Sequence, residues 1–229
     1  MSQEIKLIEV KEDIQTDNNL KAKQIQERLH EEKTFLLNLM ASPGAGKTSL
    51  VLQTIRHLKD TLRIGVMEAD IDSMVDAEEV AREGVNTIQI HTGGFCHTDA
   101  AMVESGLDAL DANSLDLVLL ENVGNLVCPA EFETGALRSA MILSVPEGDD
   151  KPLKYPLMFS VCHALVINKI DFLELSDFNV EKCREQVLKL NPGIHIFEVS
   201  CRTGEGMEQW IAWLHREVAN VIDGLAEIT

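Results

Sequence analysis

The chain of 229 residues is 45% hydrophobic, enough for one substantial α/β domain with a real core and too short for two full ones. Its 20 basic and 38 acidic residues leave a net charge of −18 without a basic cluster, which argues against nucleic acid and anionic membrane as partners. The apolar residues near the N-terminus are broken up by charge and no later run approaches a membrane span, so a cytoplasmic location is expected.

In that compartment the five cysteines (Cys96, Cys128, Cys162, Cys183, Cys201) are expected to be thiols or metal ligands rather than disulfides. Residues 1–34 are polar, with a weak helical rhythm in Ile14, Leu20, Ala22, Ile25 and Leu29. They read as an N-terminal extension of one or two helices packed on a domain covering 35–229.

Phe35 to Leu39 is an apolar strand-like run, and Ser49 to Leu58 is helical in pattern. Between them lies Met40-Ala-Ser-Pro43-Gly44-Ala45-Gly46-Lys47-Thr48, and strand, small-residue turn and helix are the context of a phosphate-binding loop. Pro43 to Ser49 would cradle the phosphates, Gly44 and Gly46 letting backbone N–H groups converge at the start of the helix. Lys47 would reach the β/γ-phosphates and Thr48 would bind Mg²⁺. The loop opens with Ala41 where the usual pattern has Gly.

Leu62 to Glu68 is a second strand, followed by an acidic loop, Ala69 to Ser73, and a helix start at Asp76 to Ala81. Val85 to Ile90 is a third strand, His91 to Asp99 its exit loop, and Ala100 to about Leu110 a helix. Leu115 to Glu121 and Ser139 to Val145 read as strands, with Asn122 to Pro129 as the loop between them. Ala164 to Asn168 is a further strand, Phe178 to Leu190 a helix, Ile194 to Ser200 a last strand, and Gly206 to about Val221 an amphipathic helix. The alternation predicts an α/β fold, one mostly parallel sheet with helices on both faces, and ligands at the carboxyl ends of its strands.

Asn168-Lys169-Ile170-Asp171 at a strand exit has the form of a guanine-recognition motif. A carboxylate at Asp171 can accept from guanine N1 and N2, whereas adenine offers an acceptor at N1 and no amine at C2. Lys169 would lie along the base and Asn168 would tie the loop, with Ser200-Cys201-Arg202 supporting the base from the other side. The competing reading is a cluster that caps a helix start. For Mg²⁺ and catalysis the candidates are Lys47, Thr48, Asp76 as the switch carboxylate and Glu121 acting through water, with Asp70 as a capping residue or a further ligand. No residue can be assigned as a catalytic finger, so slow intrinsic turnover is expected. Cys96, His97 and Cys128 offer two thiolates and an imidazole from neighbouring loops, a soft set suited to Zn²⁺ or Ni²⁺, against the alternative of small buried cysteines.

Thr92 to Ala100, Glu121-Asn-Val-Gly-Asn-Leu-Val-Cys128-Pro129, Val145 to Pro156 and Asn168 to Asp171 together resemble the HypB family of nickel-insertion P-loop GTPases of the SIMIBI type, which act in [NiFe]-hydrogenase maturation. The resemblance runs from about Phe35 to Met207. It implies GTP, Mg²⁺ and Ni²⁺ or Zn²⁺ as cofactors, a metal site at Cys96, His97 and Cys128, and a GTP-dependent homodimer. It also implies a HypA-type nickel partner and the hydrogenase large subunit precursor as recipient. The resemblance further implies relatives that insert nickel into urease. The chain departs from the family in lacking an N-terminal Cys-x-x-Cys site or His-rich tract, in carrying Ser73 and Glu79 where the acidic loop usually has Thr and Arg, and in placing the bulky Phe95 before Cys96. Lys154 is a candidate dimer contact, against an ordinary surface lysine. Cys162 and His163 are assigned to the core strand. The rival readings are a P-loop kinase for a small molecule and a metal store or scaffold without useful hydrolysis.

Overall fold

The computed structural model describes residues 10–70 and 75–225. The chain runs α1 (Val10–Glu32), β1 (Phe35–Ala41), α2 (Lys47–Leu58), β2 (Ile64–Asp70), α3 (Val75–Ala81), β3 (Asn86–His91), α4 (Ala100–Leu110) and β4 (Leu117–Glu121). It continues as α5 (Cys128–Glu131), β5 (Arg138–Ser144), α6 (Lys151–Lys154), α7 (Pro156–Val161), β6 (Ala164–Asn168), α8 (Val180–Leu190), β7 (His195–Glu198) and α9 (Met207–Ile222). The seven strands form one sheet in the order β3-β2-β4-β1-β5-β6-β7, every pairing parallel. Strands β1, β4 and β6 are buried along their whole length, as parallel strands covered on both faces must be.

Right-handed crossovers divide the helices. The chain moves one way across the sheet from β1 to β3, which puts α2 and α3 on one face, where α9 packs on α2 and Trp210 donates its indole N–H to Thr54 Oγ1 at 3.0 Å. It moves back from β3 to β4 and on to β7, which puts α4, α7 and α8 on the other face with α1 against α4. The reversal at β1 is where loops from both directions meet, the position at which such sheets bind ligands.

The N-terminal extension is one described helix. Ala22, Ile25 and Leu29 are buried as the rhythm predicts, but Leu20 points to solvent and Asn18 takes the inward place. Asn18 donates to the Glu133 carbonyl at 2.8 Å and accepts from the Ala100 N–H at 2.9 Å, so it is buried with both ends satisfied. Ile71, Asp72 and Ser73 of the acidic loop, and residues 1–9, lie outside the described residues.

Several expected boundaries shift. A left-handed Asp111 and a 3-10 turn over Ala112–Ser114 delay β4 to Leu117. Strand β2 carries on to Asp70, so Ala69 and Asp70 belong to the sheet edge rather than to the loop. Val145 leaves β5 for a 3-10 turn whose capping box joins Ser144 and Glu147. Cys162 and His163 precede β6 instead of lying in it, although Cys162 is buried in the core between the sheet and α7 and α8. The short helices α5, α6 and α7 have no counterpart in the sequence reading.

Gly206 begins α9 with φ +73°, and a methyl there would run into the Glu198 carbonyl oxygen. Gly206→Ala combines that clash with left-handed strain and is expected to cost about 3 kcal/mol or more. Urea denaturation checks this, and an unchanged midpoint would contradict it.

Candidate nucleotide and metal site

Strand β1 is buried up to Ala41, whose φ is not in the left-handed region, so the methyl that departs from the usual loop pattern sits in ordinary strand geometry. The chain turns at Gly44 (φ +79°) and Gly46 (φ +100°), the latter capping α2. A side chain at Gly46 would collide with the Asn168 amide, which donates to the Ala45 carbonyl at 3.0 Å. Lys169, held left-handed at φ +63°, sends Nζ to the Gly44 carbonyl at 2.7 Å. Base motif and phosphate loop are therefore bonded to each other. Glu147 adds a third tie by accepting from the Ser42 hydroxyl.

Asn168 Oδ1 accepts from the backbone N–H of Lys169 and of Cys201, at 2.8 and 3.2 Å, which brings the Ser200 loop onto the same edge. Asp171 Oδ1 accepts from Ser200 Oγ at 2.6 Å, and Oδ2 accepts from Arg202 Nε at 2.9 Å. The Ser200 hydroxyl, then the Arg202 guanidinium, hold the Asp171 carboxyl below the usual carboxylate range. Arg202 Nη2 also reaches Asp171 Oδ2, at 2.7 Å, so both guanidinium donors converge on that one oxygen. Cys201 is buried and contributes its backbone, since its carbonyl accepts from Gln53 at 2.9 Å.

A cavity of about 560 Å³ lies over the loop, lined by Pro43, Gly44, Gly46, Lys47, Thr48 and Ser49 and closed by Asp70, Asp76, Glu121, Val123, Gly124 and Lys169. Thr48 Oγ1 donates to Glu121 Oε1 at 3.0 Å, and Lys47 Nζ stands 4.0 Å from the same oxygen. Hydroxyl and carboxylate oxygens around a phosphate cradle are the hard donor set that Mg²⁺ prefers, so Thr48, Asp76 and Glu121 fit that ion. Burial raises the Glu121 carboxyl to about 7 against the pull of Lys47. Its neighbour Glu68 is raised further, to about 10, by burial and then by the charge of Glu121.

Glu68 has only a strand place, and no functional role, in the sequence reading. It lies inside an apolar strand run, and only the pairing of β2 with β4 sets it beside Glu121. Asn122 was missed for the same reason: fully buried, it accepts from the Thr98 N–H at 3.2 Å and donates to Asn38 Oδ1 at 3.1 Å. It thereby joins the β3 exit loop and β1 one residue after Glu121.

The exit loops of β3 and β4 bring Cys96, His97 and Cys128 together, with one ligand atom from each within 4.8 Å of the others. The two sulfurs are 2.6 Å apart and Cys96 Sγ is 3.9 Å from His97 Nδ1. The His97 ring stacks on Phe132 at 3.9 Å between centroids, and Phe95, exposed, meets it edge-on at 6.2 Å. Burial lowers the His97 pKa, which favours the neutral imidazole that binds a metal. The other cysteines are not near: Cys162, Cys183 and Cys201 are buried, and burial pushes the thiols of Cys183 and Cys201 up to about 12. Two soft sulfurs and one nitrogen on loops suit a borderline metal such as Ni²⁺ or Zn²⁺. Lys154, expected at an interface, is exposed and pairs with Asp150 at 2.5 Å.

Comparison with known proteins places these features in a family. Residues 35–198 match the family model described as CobW/HypB/UreG, nucleotide-binding domain. The chain is 44% identical over 219 residues to the hydrogenase maturation factor HypB of Rhizobium leguminosarum bv. viciae, covering 96% of this chain and 73% of that protein. It is 40% identical over 207 residues to the hydrogenase/urease maturation factor HypB of Helicobacter pylori strain J99, covering 89% and 85%. The crystal structure of HypB from Helicobacter pylori in complex with nickel superposes with a TM-score of 0.85 at 36% identity, over 93% of this chain and 99% of that one.

Proposed function

This chain belongs to the CobW/HypB/UreG family, among the HypB maturation factors, and from that premise we propose that it is a GTP-hydrolysing nickel metallochaperone of [NiFe]-hydrogenase maturation. The observation that carries the reading is the loop between Glu121 and Cys128. One end faces the phosphate cradle through Thr48 and the other supplies a sulfur to the Cys96-His97-Cys128 cluster. A displacement at the γ-phosphate can therefore move a metal ligand along a single short loop.

In the reaction the backbone N–H groups of the phosphate loop and Lys47 hold the β/γ-phosphates, while Asp171 and Ser200 select guanine. Thr48 and Asp76, with Glu121 acting through water, would hold Mg²⁺, which would neutralise phosphate charge. Ni²⁺ is cargo: two thiolates and an imidazole from one chain leave room for further donors, which a second copy, a HypA-type partner or the hydrogenase large subunit precursor can provide. GTP is expected to join two copies with their nucleotide edges facing, and Lys154 is a candidate contact. Urease as recipient is the second reading, favoured by the name of the Helicobacter pylori relative.

Measuring GTP turnover with and without Ni²⁺ separates this reading from its rivals. Hydrolysis that responds to Ni²⁺ is expected. Phosphate passed to a small acceptor would indicate a kinase, and no turnover with intact metal binding a store. Sedimentation with GTP analogue and Mg²⁺ tests the dimer, and an unchanged mass would contradict it. Cys128→Ala and Cys96→Ala remove ligand atoms outright and are each expected to weaken Ni²⁺ binding by more than the roughly 10–100-fold that loss of an outer-shell partner costs. GTP binding in both variants should be retained, and equal Ni²⁺ affinity by equilibrium dialysis would show that the cluster is no metal site.

A further inference from the structure

Gln89, Glu68 and Glu121 stand in one register row across β3, β2 and β4 at the carboxyl edge of the sheet. Neighbouring strands lie about 4.8 Å apart, so the three side chains rise side by side on one face. They line a recess of about 40 Å³ behind the nucleotide cavity, together with Lys47, Asp70 and Asp76.

Glu121 has a front and a back. Its Oε1 faces Thr48 and Lys47, whereas its Oε2 is buried without a hydrogen-bond partner among the described residues. Glu68 Oε1 and Gln89 Nε2 are buried without a partner as well, and Glu68 is only 3% exposed. Glu68, whose raised carboxyl keeps its proton at neutral pH, adds an O–H beside Glu121, so the row offers donors and acceptors together to one small space. A buried water needs roughly 10–15 Å³ and two to four polar partners, and the recess provides both. A lone orphaned atom would be a packing defect, but three around a common recess mark a place for ordered water.

We propose that Glu68 is a positioning residue for hydrolysis: with Gln89 it holds ordered water against the back oxygen of Glu121 and so fixes the front oxygen toward Thr48 and the Mg²⁺ position. An apolar side chain in place of Glu68 would leave Glu121 Oε2 and Gln89 Nε2 without that bridge, and Glu121 would be free to turn away from Thr48. The inference rests on the hydrolytic reading given under Proposed function.

Steady-state GTP hydrolysis by the unmutated protein, Glu68→Leu, Glu68→Gln and Gln89→Leu tests it. Glu68→Leu is expected to lower kcat about 10–100-fold, the usual cost of losing an outer-shell partner, and to raise the Mg²⁺ concentration needed for half-maximal rate. The KM for GTP should stay within about twofold, because the base and phosphate contacts are untouched. Glu68→Gln keeps length and a polar oxygen and should retain most of the rate. Gln89→Leu repeats the test from the neighbouring strand should Glu68→Leu not fold. Hydrolysis by Glu68→Leu equal to the unmutated protein, or an equal fall in the Gln and Leu variants, overturns the inference. An unmutated protein that turns over no GTP overturns the hydrolytic reading itself, which is a different result. A crystal structure of the nucleotide-free protein decides the water: density bridging Glu68, Gln89 and Glu121 is expected, and a dry recess overturns it.

Discussion

Asp171→Asn is expected to weaken GTP binding by about 100-fold or more and to favour xanthosine triphosphate over GTP. The asparagine keeps one acceptor oxygen and turns the other into an amide donor. That donor faces guanine's own N2 amine but complements the C2 oxygen of xanthine. The geometry sharpens the expectation, because Ser200 already holds Oδ1 and Arg202 holds Oδ2, so Asp171 is aimed and guanine competes with a guanidinium for Oδ2. Arg202→Ala in the same assay should therefore bind GTP at least as well as the unmutated protein. Competition between GTP, ATP and xanthosine triphosphate against a fluorescent analogue reads all of this. Equal affinity for GTP and ATP in the unmutated chain would remove the base assignment altogether.

Lys47→Ala and Thr48→Ala are each expected to lower GTP turnover by roughly 100-fold or more with little change in folding. Lys47 is the first residue of α2 and lines the cavity with Nζ 4.0 Å from Glu121 Oε1, so its removal takes charge from the phosphates without opening the core. Thr48 loses the hydroxyl that donates to Glu121 and fits the Mg²⁺ position. Single-turnover hydrolysis with thermal melting alongside checks both. Unchanged turnover in the two variants would mark the loop as structural.

The parts of the site that announce themselves in the sequence are those whose chemistry is local. The Gly44 to Thr48 turn lies between a buried strand and a helix, and Asn168 to Asp171 leaves β6 where its amide can reach Ala45. Residues that act through neighbours on other strands stay hidden. Glu68 reads as one polar residue in an apolar run until β2 pairs with β4, and Asn122 gains its role from Asn38 and Thr98, both remote in the chain. The segment from Lys151 to Val161 escaped for a different reason. Pro152 and Pro156 start helices of four and six residues, too short for a 3.6-residue period to show. Leu20 misled because the helical rhythm was weak, and a hydrogen-bonded Asn18 took the buried position.

Coupling between the two ends of the Glu121 to Cys128 loop is the central claim, and linkage makes it measurable from either side: if nucleotide changes metal affinity, metal must change nucleotide affinity by the same factor. The most direct test is the Ni²⁺ affinity of the unmutated protein by equilibrium dialysis, with Mg²⁺ and a non-hydrolysable GTP analogue, with GDP, and with no nucleotide. A shift of about 5–150-fold between the analogue-bound and nucleotide-free protein is predicted, the range of typical coupling energies. Identical Ni²⁺ affinity in all three states would contradict the account.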